Sequence, residues 1–179
     1  MSLSIYSFSE TDQETFINFW SNKYQYSLEN LYVHNIQPPL SENSVLNLFH
    51  WKNGMRLSTA KLQSVRNNYI ALLDNLPELN NLEQGRNYYA QLNGRMIWNL
   101  FWLHCINPNL FPIFDQHTYR ACNYILNNAV AELSELNDNE KINFYFDTYI
   151  QFFNEFHNNE NRRIDKAFFM FGRFLKKWY

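Results

Sequence analysis

The chain has 179 residues, 46% of them hydrophobic and 18% aromatic, with a formal net charge of −2. That length buries a sizeable core as a single domain without disulfide or metal staples. Four glycines are too few for an all-β fold built on tight turns or for glycine-rich phosphate loops, and the two cysteines, Cys105 and Cys122, cannot by themselves hold an iron–sulfur cluster. Both cysteines stand in apolar helical contexts, where buried free thiols are expected. The chain has no signal-peptide pattern and no apolar run of about 18 residues, so a soluble cytoplasmic protein without a membrane partner is expected.

Taken in order, nearly every long segment reads as helix. Ser9 or Thr11 caps a predicted helix reaching about Lys23, with Phe16, Ile17, Phe19 and Trp20 inward. After a loop with Pro38-Pro39, Ser41 or Ser44 starts a short helix carrying Val45, Leu48 and Phe49 and stopping near Gly54. Ser58 caps a helix from Thr59 to about Leu76, because Leu62, Val65, Tyr69, Leu72, Leu73 and Leu76 keep a helical period before Pro77. A helix over 81–92 leads to the turn Asn93-Gly94. Residues 95–106 are apolar on almost all sides, which marks a central buried helix. Asn107-Pro108-Asn109 breaks it, Leu110 to Phe114 is a short extended link, and helices follow over 116–129, 139–156 and 161–177. These elements make one compact all-α domain of roughly seven to nine helices.

The segment Phe111-Pro112-Ile113-Phe114-Asp115-Gln116-His117-Thr118-Tyr119-Arg120-Ala121-Cys122-Asn123 sets one carboxylate directly after an apolar run and directly before an amphipathic helical pattern. Asp115 therefore belongs at the lip of the core. It can cap the helix that follows. Beside apolar walls it also has the surroundings that raise a carboxyl pKa and suit a base or a stabiliser of positive charge. The two roles are compatible.

The order turn, buried helix, link, aspartate, second helix, with these residues, resembles the helix-hairpin-helix DNA glycosylases, in particular the endonuclease III and adenine-glycosylase branch. That family opens a helix with an Asp-x-His-x-x-Arg signature, matched here by Asp115, His117 and Arg120 and followed by Cys122-Asn123, as in some members. Gly94-Arg95 is similar to the last two residues of the family's hairpin and 95–106 to its second arm, so the resemblance covers residues 90–129. It implies two helical lobes around a cleft, with Asp115 as the essential carboxylate between them. It also implies DNA as partner and hydrolytic removal of a damaged or mismatched base. His117, Arg120, Gly94 and Arg95 fall where the family meets substrate or DNA. From the residues alone, His117 can orient a phosphate or bond within the helix start, and Arg120 can pair with Asp115 or a loop carbonyl as a structural bridge. Gln91-Leu92-Asn93-Gly94 keeps only the second of the hairpin's usual two glycines, so weak phosphate contacts are expected there. Strand-cutting members carry a lysine just inside the second arm; Met96 stands at that position. The implied enzyme is a monofunctional glycosylase without lyase activity, cofactor or iron–sulfur cluster.

One carboxylate can suffice for such chemistry. Breaking an N-glycosidic bond builds positive charge on the sugar, which a carboxylate in a partly dry site stabilises while it activates water. The base must first leave the stack and enter a pocket. Trp98, Trp102 and Tyr119 are candidates to stack on it, with core packing as the alternative for each. His34, His50, His104 and His157 show no metal spacing with one another or with acids, so no metal site is expected, and His104 reads as a hydrogen-bonded core histidine.

Residues 160–179 hold six basic and two acidic side chains, a charge of +4 that leaves −6 for the remainder. At about 100° per residue, Arg162, Lys166, Arg173 and Lys177 fall within roughly 60° of one another. They form a basic outer face opposite Ile164, Phe168, Phe171 and Leu175, which is a phosphate-binding stripe or a solvated face. Two further readings stay open: a non-catalytic relative that binds DNA or a protein partner through the same cleft, and an unrelated helical interaction domain in which Asp115 is only a cap.

Overall fold

The computed structural model describes residues 11–156 and 159–178, and within them every regular element is a helix. Helix α1 (Gln13–Ser21) begins at Asp12, whose side chain accepts the Thr15 N–H at 2.8 Å. The cap is therefore neither Thr11 nor Ser9, and Ser9 lies outside the described residues. Phe16 and Trp20 pack on Phe171 with ring centroids 5.2 Å apart in each case. That choice of face turns Phe19 outward, 51% exposed rather than inward as its apolarity predicts.

A short helix α2 (Glu29–Val33), unmarked in the sequence, precedes α3 (Glu42–Asn53). Ser41 caps α3, and Gly54, at φ 77°, closes it in the left-handed conformation that favours glycine. Helix α4 (Thr59–Asn68), capped by Ser58, is shorter than predicted and tightens into a 3-10 turn over Ile70–Asn75. The break comes at Tyr69, which is fully buried, stacks on Phe49 and donates its hydroxyl to Asn99 Oδ1 at 2.8 Å. Tertiary burial of one tyrosine overrides a continuous helical period.

Helix α5 (Leu82–Tyr89) leads into the buried helix α6 (Met96–Ile106). Two apolar clusters meet on α6, which explains why it is apolar all round. Leu100 and Leu103 belong to one cluster with Phe111, Phe114, Tyr145, Tyr149 and Phe168, while Phe101, Trp102 and Cys105 belong to the other with Phe49, Trp51, Tyr69 and Ile113. Both cysteines are buried free thiols. Helix α7 (Gln116–Asn127) follows, and then a 3-10 turn, Leu133–Glu135. The predicted helix 139–156 is realised as α8 (Asp138–Asn143), a widened π-helical turn over Phe144–Tyr149, and α9 (Ile150–Asn154). Helix α10 (Asn161–Trp178) packs along both α1 and α7. No described helix is long and apolar enough to cross a membrane.

Helices α7 and α10 touch backbone to backbone. A Cβ on Gly172 would overlap the main-chain carbonyl of His117, and Arg120 Nη1 donates to the Gly172 carbonyl at 2.8 Å across the same crossing. Gly172→Ala adds helix propensity of about 1 kcal/mol, but main chain cannot yield as a flexible side chain does, and overpacking costs about 1–3 kcal/mol. The substitution should therefore lower the urea midpoint, a net loss of up to about 2 kcal/mol with the m-value unchanged. An unchanged midpoint would show that the two helices part freely.

Candidate functional site

The extended link before Asp115 is buried at Phe111, Ile113 and Phe114, so its main-chain carbonyls need partners inside the protein. Four side chains supply them in succession. His104 Nδ1 bonds the Phe111 carbonyl at 2.7 Å, the Tyr145 hydroxyl the Pro112 carbonyl at 3.0 Å, the Tyr149 hydroxyl the Ile113 carbonyl at 2.9 Å, and Lys52 Nζ the Phe114 carbonyl at 3.1 Å. A carbonyl only accepts, so His104 carries its proton on Nδ1 and its Nε2 accepts from the Tyr32 hydroxyl at 2.7 Å. Burial pushes His104 down to about 3, leaving it neutral. Tyr145 and Tyr149 both stand in the π-helical turn and bond adjacent carbonyls of the link.

Asp115 is the N-cap of α7. Its Oδ1 accepts from the N–H of His117 at 2.7 Å and of Thr118 at 3.1 Å, and Thr118 Oγ1 accepts the Asp115 N–H at 2.9 Å, a reciprocal capping box. Its Oδ2 lies 3.5 Å from Lys52 Nζ, with the two side chains 23% and 7% exposed. Burial alone would raise the Asp115 pKa; the Lys52 ammonium and the two helix N–H bonds outweigh it and hold the carboxyl below its ordinary range. The expectation of a raised value thus fails, because apolar neighbours do not reveal a buried cation approaching from α3.

A cavity of about 620 Å³ opens beside this carboxylate. Its walls include Tyr26, Trp51, Trp98 and Phe169, the α6 residues Met96 and Ile97, and the charged groups Lys52, Lys141, Asp115, Arg162 and Asp165. Arg162 reaches it from α10. Its guanidinium meets both Glu29 oxygens, at 2.9 and 2.8 Å, and sits 4.5 Å from the Tyr32 ring centroid and 5.1 Å from that of Trp51. Lys166 Nζ joins Glu29 at 3.1 Å. Two of the four cations of the expected basic outer face are therefore turned to a carboxylate on α2, and only Arg173 and Lys177 keep exposed side chains. Helical spacing identified the stripe but carried no information about Glu29, 133 residues away from Arg162.

The remaining signature residues are engaged inside the protein. Arg120 is fully buried; it bridges Glu132 with contacts of 3.0 and 2.6 Å and meets His117 Nδ1 at 3.1 Å. Its ion pair is thus with Glu132, not Asp115. His117 lines the cavity edge-on to Phe169, with centroids 4.9 Å apart, and burial lowers its pKa. Gly94 packs where a Cβ would overlap the Tyr69 hydroxyl and Asn99. Arg95 is exposed at the start of α6, beside a second hollow of about 230 Å³ with Lys61, Ser64 and Trp98. Of the three aromatic candidates, Trp98 lines the main cavity, whereas Trp102 and Tyr119 are core residues. Among the described residues no three His, Cys, Asp or Glu side chains are grouped to hold a metal ion.

Lys52 and Asp165 are among the site residues that went unrecognised in the sequence. Asp165 stands at helical spacing from Phe168 and Gly172, an acid on the buried side of an amphipathic helix, and that was the available signal. It is 3% exposed, and its Oδ1 has no hydrogen-bond partner among the described residues. Burial raises its carboxyl to about 7 although Arg162 and Lys52 oppose the shift. Compared with known proteins, the chain matches no family model, no curated protein and no solved structure.

The raised Asp165 value gives a stability prediction. Between the ordinary 3.8 and about 7 the folded protein keeps a proton on Asp165 that the unfolded chain has lost, so this group's contribution to stability falls as pH rises through that window. The charged groups acting on it are Arg162, Lys52 and Asp115, with Tyr32, Tyr145 and Tyr149 close enough to feel its charge. Asp165→Asn mimics the neutral carboxyl at every pH. It should melt above the parent at pH 8, with the difference shrinking toward pH 5. A constant difference, or a variant less stable at pH 8, would mean that Asp165 does not titrate in this range.

Proposed function

We propose that this protein excises bases from DNA by hydrolysing the N-glycosidic bond, with Asp115 as the essential carboxylate, in the manner of the helix-hairpin-helix glycosylases its sequence resembles. The observation that carries the reading is that Asp115 and the first turn of α6, Met96 to Trp98, line one aromatic-walled cavity. That brings the aspartate of the signature and the start of the hairpin's second arm together around a space of about 620 Å³, within the usual range of roughly 300–1,000 Å³ for small-ligand sites. A base turned out of the duplex would enter between the aromatic walls.

The geometry favours one role for Asp115 over another. A carboxyl held below its ordinary pKa is a weak base but is reliably anionic, so it acts mainly by opposing the positive charge that develops on the sugar. Helix N–H groups fix its Oδ1, so the anion is already oriented before substrate arrives. Arg95 and Arg173 are among the exposed cations that would meet phosphate.

A screen of duplexes carrying damaged or mismatched bases, treated with alkali after incubation, tests the activity. Asp115→Asn keeps a capping oxygen but loses the charge, and should lower excision by about 100-fold or more while circular dichroism stays unchanged. Parental activity in that variant would remove Asp115 from the mechanism.

Excision should also leave the abasic strand intact. Met96 has no amine, and Lys52, the lysine nearest Asp115, is engaged with that carboxylate and with the Phe114 carbonyl. Schiff-base chemistry needs a free amine. Borohydride treatment during turnover should trap no protein–DNA adduct; a trapped adduct abolished by Lys52→Met would make this a strand-cutting enzyme instead.

The second reading, a non-catalytic domain binding DNA or a protein through the same cavity, draws on the engagement of both Asp115 oxygens, one by the helix and one by Lys52. Salt-sensitive DNA binding with no excision across the whole screen would decide for it.

A further inference from the structure

A second hollow adjoins the main cavity. It holds about 230 Å³ and is lined by Ala60, Lys61 and Ser64 of α4 and by Arg95 and Trp98 at the start of α6. Trp98 lines both spaces, and the approach of Phe49, with ring centroids 5.2 Å apart, fixes its indole as a wall common to the two. Among the described residues no acid lines the smaller hollow. Elsewhere Arg66, Arg86, Arg120 and Arg162 each face a carboxylate. Two cations that share one space without an acid repel each other, and an anion between them removes that cost.

The polar groups of this hollow are accessible and keep donors to spare. Arg95 is exposed and has no hydrogen bond or ion pair among the described residues, so its whole guanidinium fork is available. Lys61 is exposed as well; its Nζ gives one N–H to Asn53 Oδ1 at 2.6 Å and keeps two. Ser64 Oγ accepts from Asn68 Nδ2 at 3.1 Å, which leaves its own proton to donate. Asn53, which anchors Lys61, also lines the main cavity. A planar fork, a point charge and a hydroxyl together suit the oxygens of a phosphate. The volume falls below the roughly 300–1,000 Å³ usual for a whole small ligand. The hollow therefore fits one group of a larger molecule that continues past Trp98.

We propose that Lys61, Ser64 and Arg95 form a subsite for a single backbone phosphate of the strand whose base enters the main cavity, the strand passing Trp98 on its way from one space to the other. This rests on the reading of the main cavity as a base pocket, and it names what holds the strand beside that pocket. Side chains of α4 and α6 make the contact, so it does not depend on the glycine that the hairpin lacks.

The test is equilibrium binding by fluorescence anisotropy. Duplexes carry one unpaired nucleotide, each of the four bases in turn, on a 2′-fluoro sugar that resists hydrolysis. The duplex bound most tightly is rebuilt with one uncharged methylphosphonate linkage at a time along that strand. In the parent, one linkage close to the unpaired nucleotide should stand out, its neutralisation lowering affinity about tenfold or more, the effect of hydrogen bonds between charged groups. In the double variant Lys61→Gln/Arg95→Gln the same linkage should matter less than about threefold, because its charged partners are already gone. The dependence of affinity on salt should also become shallower by about one or two released counterions. Both side chains are exposed, so the melting temperature should match that of the parent. A flat linkage profile in the parent, an unaltered profile in the folded double variant, or no duplex bound more tightly than a fully paired one would each overturn the proposal. The outcome is separable from that of the excision screen. A single sensitive linkage without any cleavage would leave this subsite standing and end the hydrolytic reading, whereas cleavage with a flat linkage profile would do the reverse.

Discussion

The architecture around the cavity depends on one buried stretch of extended chain. Residues 111–114 cross the core with no neighbouring strand to bond, and unsatisfied main-chain carbonyls there would each cost on the order of 1–3 kcal/mol. His104 from α6, Tyr145 and Tyr149 from the π-helical turn, and Lys52 from α3 take the four carbonyls one after another. Each of these side chains is itself fixed by burial, so the link is tied to three separate elements at once. Asp115, the next residue, inherits that rigidity, and the capping box then sets its carboxylate to within the tolerance of two hydrogen bonds. Preorganisation of this kind lets a single anion act on developing charge without first being reordered.

A second layer of polar contacts fastens the helices that wall the cavity. Arg120 joins α7 to the Gly172 carbonyl on α10 and to Glu132 ahead of the 3-10 turn; Arg162 and Lys166 join α10 to Glu29 on α2. Buried ion pairs add little net stability, since desolvation offsets much of the attraction, but breaking one leaves a stranded charge and is costly. Their effect is therefore to favour one arrangement of apolar helices over its near neighbours. Lys52 serves both layers, bonding the link and neutralising Asp115. Asp165 stands apart because one of its buried oxygens has no hydrogen-bond partner among the described residues.

Much of the helical framework was legible in the residues. Ser41, Ser58 and Asp115 cap where local chemistry says they should, Gly54 closes α3 through its positive φ, and the unbroken apolarity of 95–106 foretold a helix shared by two clusters. Where the reading failed, a distant partner intervened. Tyr69 ends α4 early to reach Asn99, Phe19 faces outward because Phe16 and Trp20 claim α10, and the turn at Phe144–Tyr149, two of whose tyrosines bond the link, widens into a π-helix.

The candidate site divides along the same line. The sequence by itself determined that the chain is helical, that Asp115 follows a buried link and opens a helix, and that α10 has a polar and an apolar side, because caps and periodicity act over three or four residues. Only the tertiary structure decided that Lys52 lowers the Asp115 pKa, that Arg162 and Lys166 turn to Glu29, that Arg120 pairs with Glu132, and that Asp165 is buried with one oxygen unpaired among the described residues. Each of these outcomes depends on which charge meets which across the packed interior, and the energy of a buried charge is set by the partner that packing brings within a few ångströms, a quantity with no counterpart in local spacing.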